Sequence, residues 1–315
     1  MEAQHLTNKR IINFLNKGHT LLLDGGLSNQ LEEQGFDLNS ALWSADLLMK
    51  QPHAIIEAHK HYLNAGAQCL ITASYQATVA GFKSIGLSDE QAKALIISSV
   101  QLAKRAVDEF VEDNPSTEKP FIAASIGPYG ASLADGSEYH GDYNVSDEVL
   151  KAHHQAQIAL LATTTADLFA CETIPSLQEA RVLKALLEKE MKPAWLSFSC
   201  KNGKQLNDGI RIEDCVKEFS HTNTPFALGI NCTNPKYIVE LIERIKNTCP
   251  DKFIVVYPNS GENYDPQYKT WHGTSTPNEC GQAAKDWLQA GAHILGGCCR
   301  MGPKHIASIK RTLNL

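Results

Sequence analysis

Along the chain, short apolar runs alternate with segments whose apolar residues recur at helical spacing. The runs are Thr20 to Gly26, Ala67 to Tyr75, Phe121 to Pro128, Leu168 to Ile174, Pro193 to Cys200, Phe226 to Thr233, Phe253 to Asn259 and His293 to Arg300. They are continuously apolar, which is what a strand buried on both faces requires. Between them, Ala92, Leu95, Ile96, Val100, Ala103 and Val107, or Ile238, Leu241, Ile242 and Ile245, mark one face of a helix. Ser88-Asp89-Glu90-Gln91 and Ser176-Leu177-Gln178-Glu179 fit capping boxes, and Asn234-Pro235 and Thr276-Pro277 set a capping residue before a first-turn proline. Eight strand and helix alternations predict an α/β fold, a (β/α)8 barrel forming one domain over residues 1–315.

In such a barrel the active site lies at the C-terminal ends of the strands. The polar residues gather there: Asp24-Gly25-Gly26, Thr72 to Tyr75, Cys171-Glu172-Thr173, Ser197 to Cys200, Asn231-Cys232, Tyr257-Pro258-Asn259 and Gly296-Gly297-Cys298-Cys299-Arg300. Loops 129–145, 201–210 and 260–275, rich in Gly, Asp and Asn, are expected as lids. Cys298 and Cys299 are adjacent. They cannot close a relaxed disulfide, because their Cα atoms stand about 3.8 Å apart where the bond wants about 5.5 Å. With Cys232 at the end of another strand, three thiolates can share one face. A catalytic zinc takes three protein ligands and leaves its fourth position open. Three thiolates make zinc a poor generator of hydroxide but leave it able to ionise an incoming thiol. The reaction implied is attack by a substrate thiol on an electrophilic carbon, with a cationic methyl donor such as a sulfonium drawn to the negative centre.

Asp24 and Glu172 end otherwise apolar strands, so each carboxylate needs a donor partner. The ammonium group of an amino-acid substrate is one; an internal arginine or lid backbone N–H groups are the other. Gly25 is placed in the substrate site beside Asp24. Asn231 precedes a proposed ligand, where it either hydrogen-bonds sulfur or serves as a turn residue. Tyr75, Tyr129 and Tyr257 either pack against a sulfonium or belong to the core. Arg300 either orients a carboxylate or caps the rim. His59, His61, His153 and His154 are read as surface or packing residues, and the cysteines at 69, 200, 215, 249 and 280 as packing residues.

Composition narrows the rest. A net charge of −6 without a basic cluster argues against nucleic acid as a partner. Nine cysteines without a paired pattern, no signal sequence and no apolar run of membrane-spanning length point to the reducing cytoplasm. Two other classes fit the cysteines: a thiol-redox protein in which Cys298 and Cys299 cycle, and a zinc scaffold, which needs a fourth ligand not found at a neighbouring strand end.

Six segments together resemble the homocysteine S-methyltransferase family over residues 20–311. They are Asp24-Gly25-Gly26, Gly127 to Ala131 with Asp135 to Tyr139, Cys171-Glu172-Thr173, Gly229 to Cys232, Tyr257 to Glu262 and Gly296 to Arg300. The resemblance implies a (β/α)8 barrel, zinc on Cys232, Cys298 and Cys299, homocysteine sulfur on the metal, its amino group on Asp24 and Glu172, and methionine as product. Betaine-dependent members carry a tyrosine after the glutamate where this chain has Thr173, and a long C-terminal arm; cobalamin-dependent members carry further modules. The remaining branch uses S-methylmethionine, with S-adenosylmethionine a poorer donor, and implies a monomer or loose homo-oligomer. Selenohomocysteine or selenocysteine as acceptor is a close variant.

Overall fold

Each of the eight apolar runs holds one strand of a parallel sheet in a computed structural model that describes residues 10–36, 44–261, 263–265, 270–272 and 275–315. The strands are β1 (Leu21–Leu22), β2 (Cys69–Ile71), β3 (Phe121–Ile126), β4 (Leu168–Ile174), β5 (Ala194–Phe198), β6 (Ala227–Asn231) and β7 (Phe253–Tyr257). A hairpin of β8 (Asn263–Asp265) and β9 (Thr270–His272) then precedes the last barrel strand, β10 (Ile294–Leu295). The order around the sheet is β1, β10, β7, β6, β5, β4, β3, β2. Its edges meet where Leu23 bridges Cys69 and the Asp24 N–H donates to the Cys69 carbonyl at 3.1 Å, so the barrel closes. Closure removes the exposed edges that an open sheet would have to protect.

Successive strand residues point to opposite faces. Outward residues such as Ile122, Ala124, Phe169, Leu196, Leu228 and Val256 pack under the helices. Inward residues such as Phe121, Ala123, Leu168, Ala170, Trp195, Ala227 and Val255 fill the barrel. At the N-terminal end Ile11, Phe14 and Leu15 join this inner cluster and stop the opening. Arg10 fixes that plug, lying 3.9 Å from the Phe121 ring centroid and 3.7 Å from Asp167. The same alternation turns polar at the other end, where Ser125, Glu172, Ser197, Asn231 and Tyr257 form the uppermost inward layer, all buried.

The helix signals hold with one correction. Ser88 and Gln91 form a reciprocal capping box at Asp89–Asp113, as do Thr276 and Glu279 at Pro277–Ala290. At Leu177–Leu187, Ser176 does accept from the Glu179 N–H, but the Glu179 side chain does not return to the cap. It turns inward, where buried His154 and the backbone of Tyr129 outcompete an exposed cap for the carboxylate. The cysteines at 69, 200, 215, 249 and 280 are buried, in keeping with packing roles. No described helix is long and apolar enough to cross a membrane.

Gly229 in β6 marks the tightest point of the barrel wall, because a Cβ there would run into the carbonyl of Val255 on β7. Backbone cannot step aside as a side chain tip can. Gly229→Ala is therefore expected to lower stability by about 3 kcal/mol, read as an earlier chemical-denaturation midpoint, whereas Ala227→Gly one turn of the pleat below leaves the wall intact.

Candidate active site

The three cysteines singled out from the sequence arrive from two strand ends. Cys232 follows β6 in a left-handed conformation, φ 45°, with its N–H bonded to the Tyr257 carbonyl at 3.2 Å. After β10 the chain is pinned on both sides. Gly296 donates to Val256 at 3.0 Å, Gly297 to Asp24 at 3.0 Å, and Cys298 to Pro258 at 2.8 Å, while Ser260 donates to Cys299 at 3.1 Å. The outcome is a cluster: Cys232 Sγ lies 3.6 Å from Cys299 Sγ, Cys298 Sγ lies 3.9 Å from Cys299 Sγ, and all three sulfurs fall within 4.8 Å. A disulfide needs about 2.05 Å. Ligands about 2.3 Å from a tetrahedral metal stand about 3.8 Å from each other, which these separations match. The donor set therefore fits a metal ion. Without one, Cys299 is the sulfur most easily ionised: the Cys232 and Cys298 thiols donate to it and draw its pKa well down. Cys298 is pushed up by its bonds to Cys232 and Cys299 and by burial.

Asn231 braces this cluster. Its Nδ2 lies 4.0 Å from Cys298 Sγ and donates to Thr173 Oγ1 at 2.7 Å. Its Oδ1 accepts from the Thr173 N–H at 2.6 Å and from Ser197 Oγ at 2.8 Å. Ser197 also meets the Tyr257 hydroxyl at 2.7 Å, and Trp195 Nε1 donates to that hydroxyl at 3.1 Å. Thr173 is β-branched yet has φ 61°, a strained conformation that these bonds hold in place.

Two carboxylates lie on the same end of the barrel. Glu172 accepts a short hydrogen bond from Ser125 Oγ. Burial pushes its pKa up to about 7, against the Ser125 and Tyr257 hydrogen bonds that pull it down, and Cys299 adds to the rise. Asp24 is 1% exposed. Its Oδ2 accepts from the Ile71 N–H at 2.9 Å, while its buried Oδ1 has no partner among the described residues. Burial raises the Asp24 pKa well above the usual range, and the charge of Glu172 raises it further. A backbone N–H thus satisfies half of Asp24, and no internal arginine takes the other half.

The remaining candidates are placed as follows. At Gly25 a Cβ would collide with the Met301 carbonyl and the Tyr62 ring, so packing alone demands glycine there. Tyr75 is half-buried against Gly127 and within electrostatic range of Cys232. Tyr257 is buried in the Asn231 network. Arg300, φ 67°, has its guanidinium 3.9 Å from Glu32 in an outer groove also lined by Glu33 and His61. Glu262, part of one of the quoted segments, lies outside the described residues, as do 266–269, 273 and 274 of the same loop.

Sequence reasoning passes over Ser125 and counts Ser197, in Ser197 to Cys200, among the polar strand ends without giving it a role, although both continue the inward period-two rows of their strands. It also treats His154 as unremarkable. His154 is fully buried and its Nε2 meets Glu179 Oε1 at 2.8 Å; Glu179 in turn accepts from the Tyr129 N–H at 2.5 Å and the Tyr143 hydroxyl at 3.2 Å. This buried hub ties the 129–145 loop to the barrel. The signal was its place between Leu150, Ile158 and Leu161 on the buried face of the helix Asp147–Ala162.

Comparison with known proteins gives the chain's family. The family described as Homocysteine S-methyltransferase matches residues 21–313. The chain is 46% identical over 293 residues to Homocysteine S-methyltransferase YbgG of Bacillus subtilis, covering 92% of this chain and 93% of the relative. It is 43% identical over 300 residues to the Homocysteine S-methyltransferase of Escherichia coli, covering 94% and 96%. The crystal structure of the homocysteine methyltransferase MmuM from Escherichia coli in its metallated form superposes with a TM-score of 0.85 at 40% identity, covering 95% of this chain and 98% of that one.

A carboxyl whose pKa rises on folding binds its proton more tightly in the native state, so native stability falls as pH climbs between the two values and is constant outside them. For metal-free protein, the stability difference between wild type and Glu172→Gln is expected to decline from about pH 4.5 to about pH 7 and then level off. Urea unfolding of both proteins across pH 4 to 9 measures it; a difference that grows with pH would contradict the environment described for Glu172.

Proposed function

The chain belongs to the homocysteine S-methyltransferase family, and on that premise we propose that it methylates L-homocysteine with S-methylmethionine, at a zinc ion held by Cys232, Cys298 and Cys299. S-Adenosylmethionine is the poorer donor in this reading. The observation that carries it is the convergence of three sulfurs, 3.6 and 3.9 Å apart, on the strand ends that also bring together buried Glu172 and Asp24, whose Oδ1 has no partner among the described residues.

Zinc supplies one thing when bound: it keeps the homocysteine sulfur ionised at neutral pH. The rest falls to the chain. Asp24, with Oδ1 unfilled, and Glu172 take the homocysteine ammonium, which repays the burial that keeps both carboxyls reluctant to ionise. Asn231 sets the direction of the Cys298 sulfur through the amide fixed by Thr173 and Ser197. Half-buried Tyr75 offers a ring face to the sulfonium. The methyl carbon forms its bond to the homocysteine sulfur as the donor C–S bond breaks, and the electron pair leaves on the donor sulfur, so each substrate becomes methionine. The anionic thiolate set favours a cationic donor over a neutral one, and Thr173 after Glu172 departs from the tyrosine of betaine-dependent relatives.

Methionine formation from homocysteine, with S-methylmethionine, S-adenosylmethionine and betaine offered in parallel to zinc-loaded protein, tests the reading. Turnover is expected with S-methylmethionine and none with Cys298→Ala. Betaine as the sole donor, or no donor at all, overturns it. Asp24→Asn is expected to raise the homocysteine KM about 10- to 100-fold, the worth of one hydrogen bond to a charged group, while the donor KM stays within about twofold.

A further inference from the structure

The segment Asp135 to Tyr139 is one that the proposed function leaves without a task. It forms a short 3-10 turn, Ser137–Tyr139, in the loop over the barrel mouth. The turn is fixed. Asp135 Oδ1 accepts from the Ser137 N–H at 2.9 Å, the Tyr139 N–H reaches the Gly136 carbonyl at 3.0 Å, and Gln76 Nε2 on the barrel side holds the Ala131 carbonyl at 2.9 Å. Within it Glu138 is only 4% exposed, and its Oε2 is buried without a hydrogen bond among the described residues. That is a costly way to keep a loop carboxylate. A surface loop has water available for any acid that serves no other purpose.

What surrounds Glu138 shows which way the cost is directed. Burial raises its pKa, Asp135 and then Cys299 add to the rise, and its own backbone N–H and His140 oppose it. Glu138 in turn bears on Tyr75, as does Cys232, and neighbouring Tyr139 is within reach of all three cysteines. Asp24 and Glu172 act on each other below, at the strand ends. Acidic groups of the barrel wall and of the lid are thus both within electrostatic range of Cys299.

We infer that Glu138 is the recognition residue for the second substrate, its buried carboxylate receiving the α-ammonium group of a sulfonium amino acid that lies between the lid and the thiol cluster. The inference rests on the proposed function and names which end of the donor the lid holds. The sulfonium is the less suitable partner for this carboxylate. Its positive charge disappears as the methyl group leaves, so a fixed carboxylate beside it would stabilise the ground state more than the transition state. The ammonium keeps its charge throughout. Binding it contributes equally to both states, which lowers KM without altering kcat.

The test compares S-methylmethionine with 4-(dimethylsulfonio)butanoate, the same sulfonium carboxylate without the amino group, on zinc-loaded wild type and Glu138→Gln. Wild type is expected to prefer S-methylmethionine by about 10- to 100-fold in kcat/KM. Glu138→Gln should lose that preference to within about threefold, through a raised KM for S-methylmethionine at unchanged kcat. Because both donors are read on the same variant, partial misfolding cancels, and an unchanged homocysteine KM serves as a second control. Calorimetric titration of S-methylmethionine into each zinc-loaded protein gives the same contrast at equilibrium. If wild type turns over S-methylmethionine but the variant keeps its preference, Glu138 is not the ammonium site. If the variant loses kcat for both donors equally, the residue serves the lid and the inference also fails. Wild type inactive with every sulfonium sinks the proposed function and this inference together.

Discussion

Two backbone hydrogen bonds join the first strand of the barrel to the turn after the last. Gly297 donates to the Asp24 carbonyl and Gly26 donates to the Met301 carbonyl, both at 3.0 Å. These bonds admit no side chain on Gly25, since the Met301 carbonyl occupies the place a Cβ would need. They fix the position of Cys298 and Cys299 relative to Asp24, and through Cys298 and Pro258 relative to β7. The distances among sulfurs and carboxylates are therefore set by main chain, which has far less rotational freedom than the side chains it carries. That is the preorganisation a ligand cluster or an ammonium site requires.

Electrostatically the upper barrel is incomplete by itself. Asp24, Glu172 and the thiols gather at one end, and burial opposes the ionisation of both carboxylates. Native proteins rarely keep buried acids without partners. Asp24 Oδ1 is such an exception among the described residues, whereas Glu172 is held by Ser125 and Tyr257. A positive charge bound beside the sulfurs would favour one bound beside the acids, a coupling that follows from charge alone.

Much of this was legible in the chain. Continuous apolar runs gave all eight strands because parallel strands buried on both faces leave no other composition available. The three clustered cysteines were visible because they follow the ends of such runs, and strand ends in this fold share a face. The roles of Ser125 and Ser197 were not, since a serine in an apolar run is neutral until the register says it faces inward beside Glu172 or Asn231. Glu179 was misread for a related reason. Three residues after Ser176 its carboxylate fits a cap, and only tertiary structure brings His154 and Tyr129 within reach to redirect it. Left-handed Thr173 and Cys232 left no trace either, as neither residue type announces a positive φ.

The plug of Ile11, Phe14 and Leu15 gives the barrel a floor. Among the described residues that floor closes the N-terminal end, which leaves the strand C-terminal ends as the side from which the sulfurs are approached. A molecule seated at the strand ends is therefore covered by whatever settles between it and the lid. Two molecules stacked above that floor would have to pass in sequence, the lower one first in and last out.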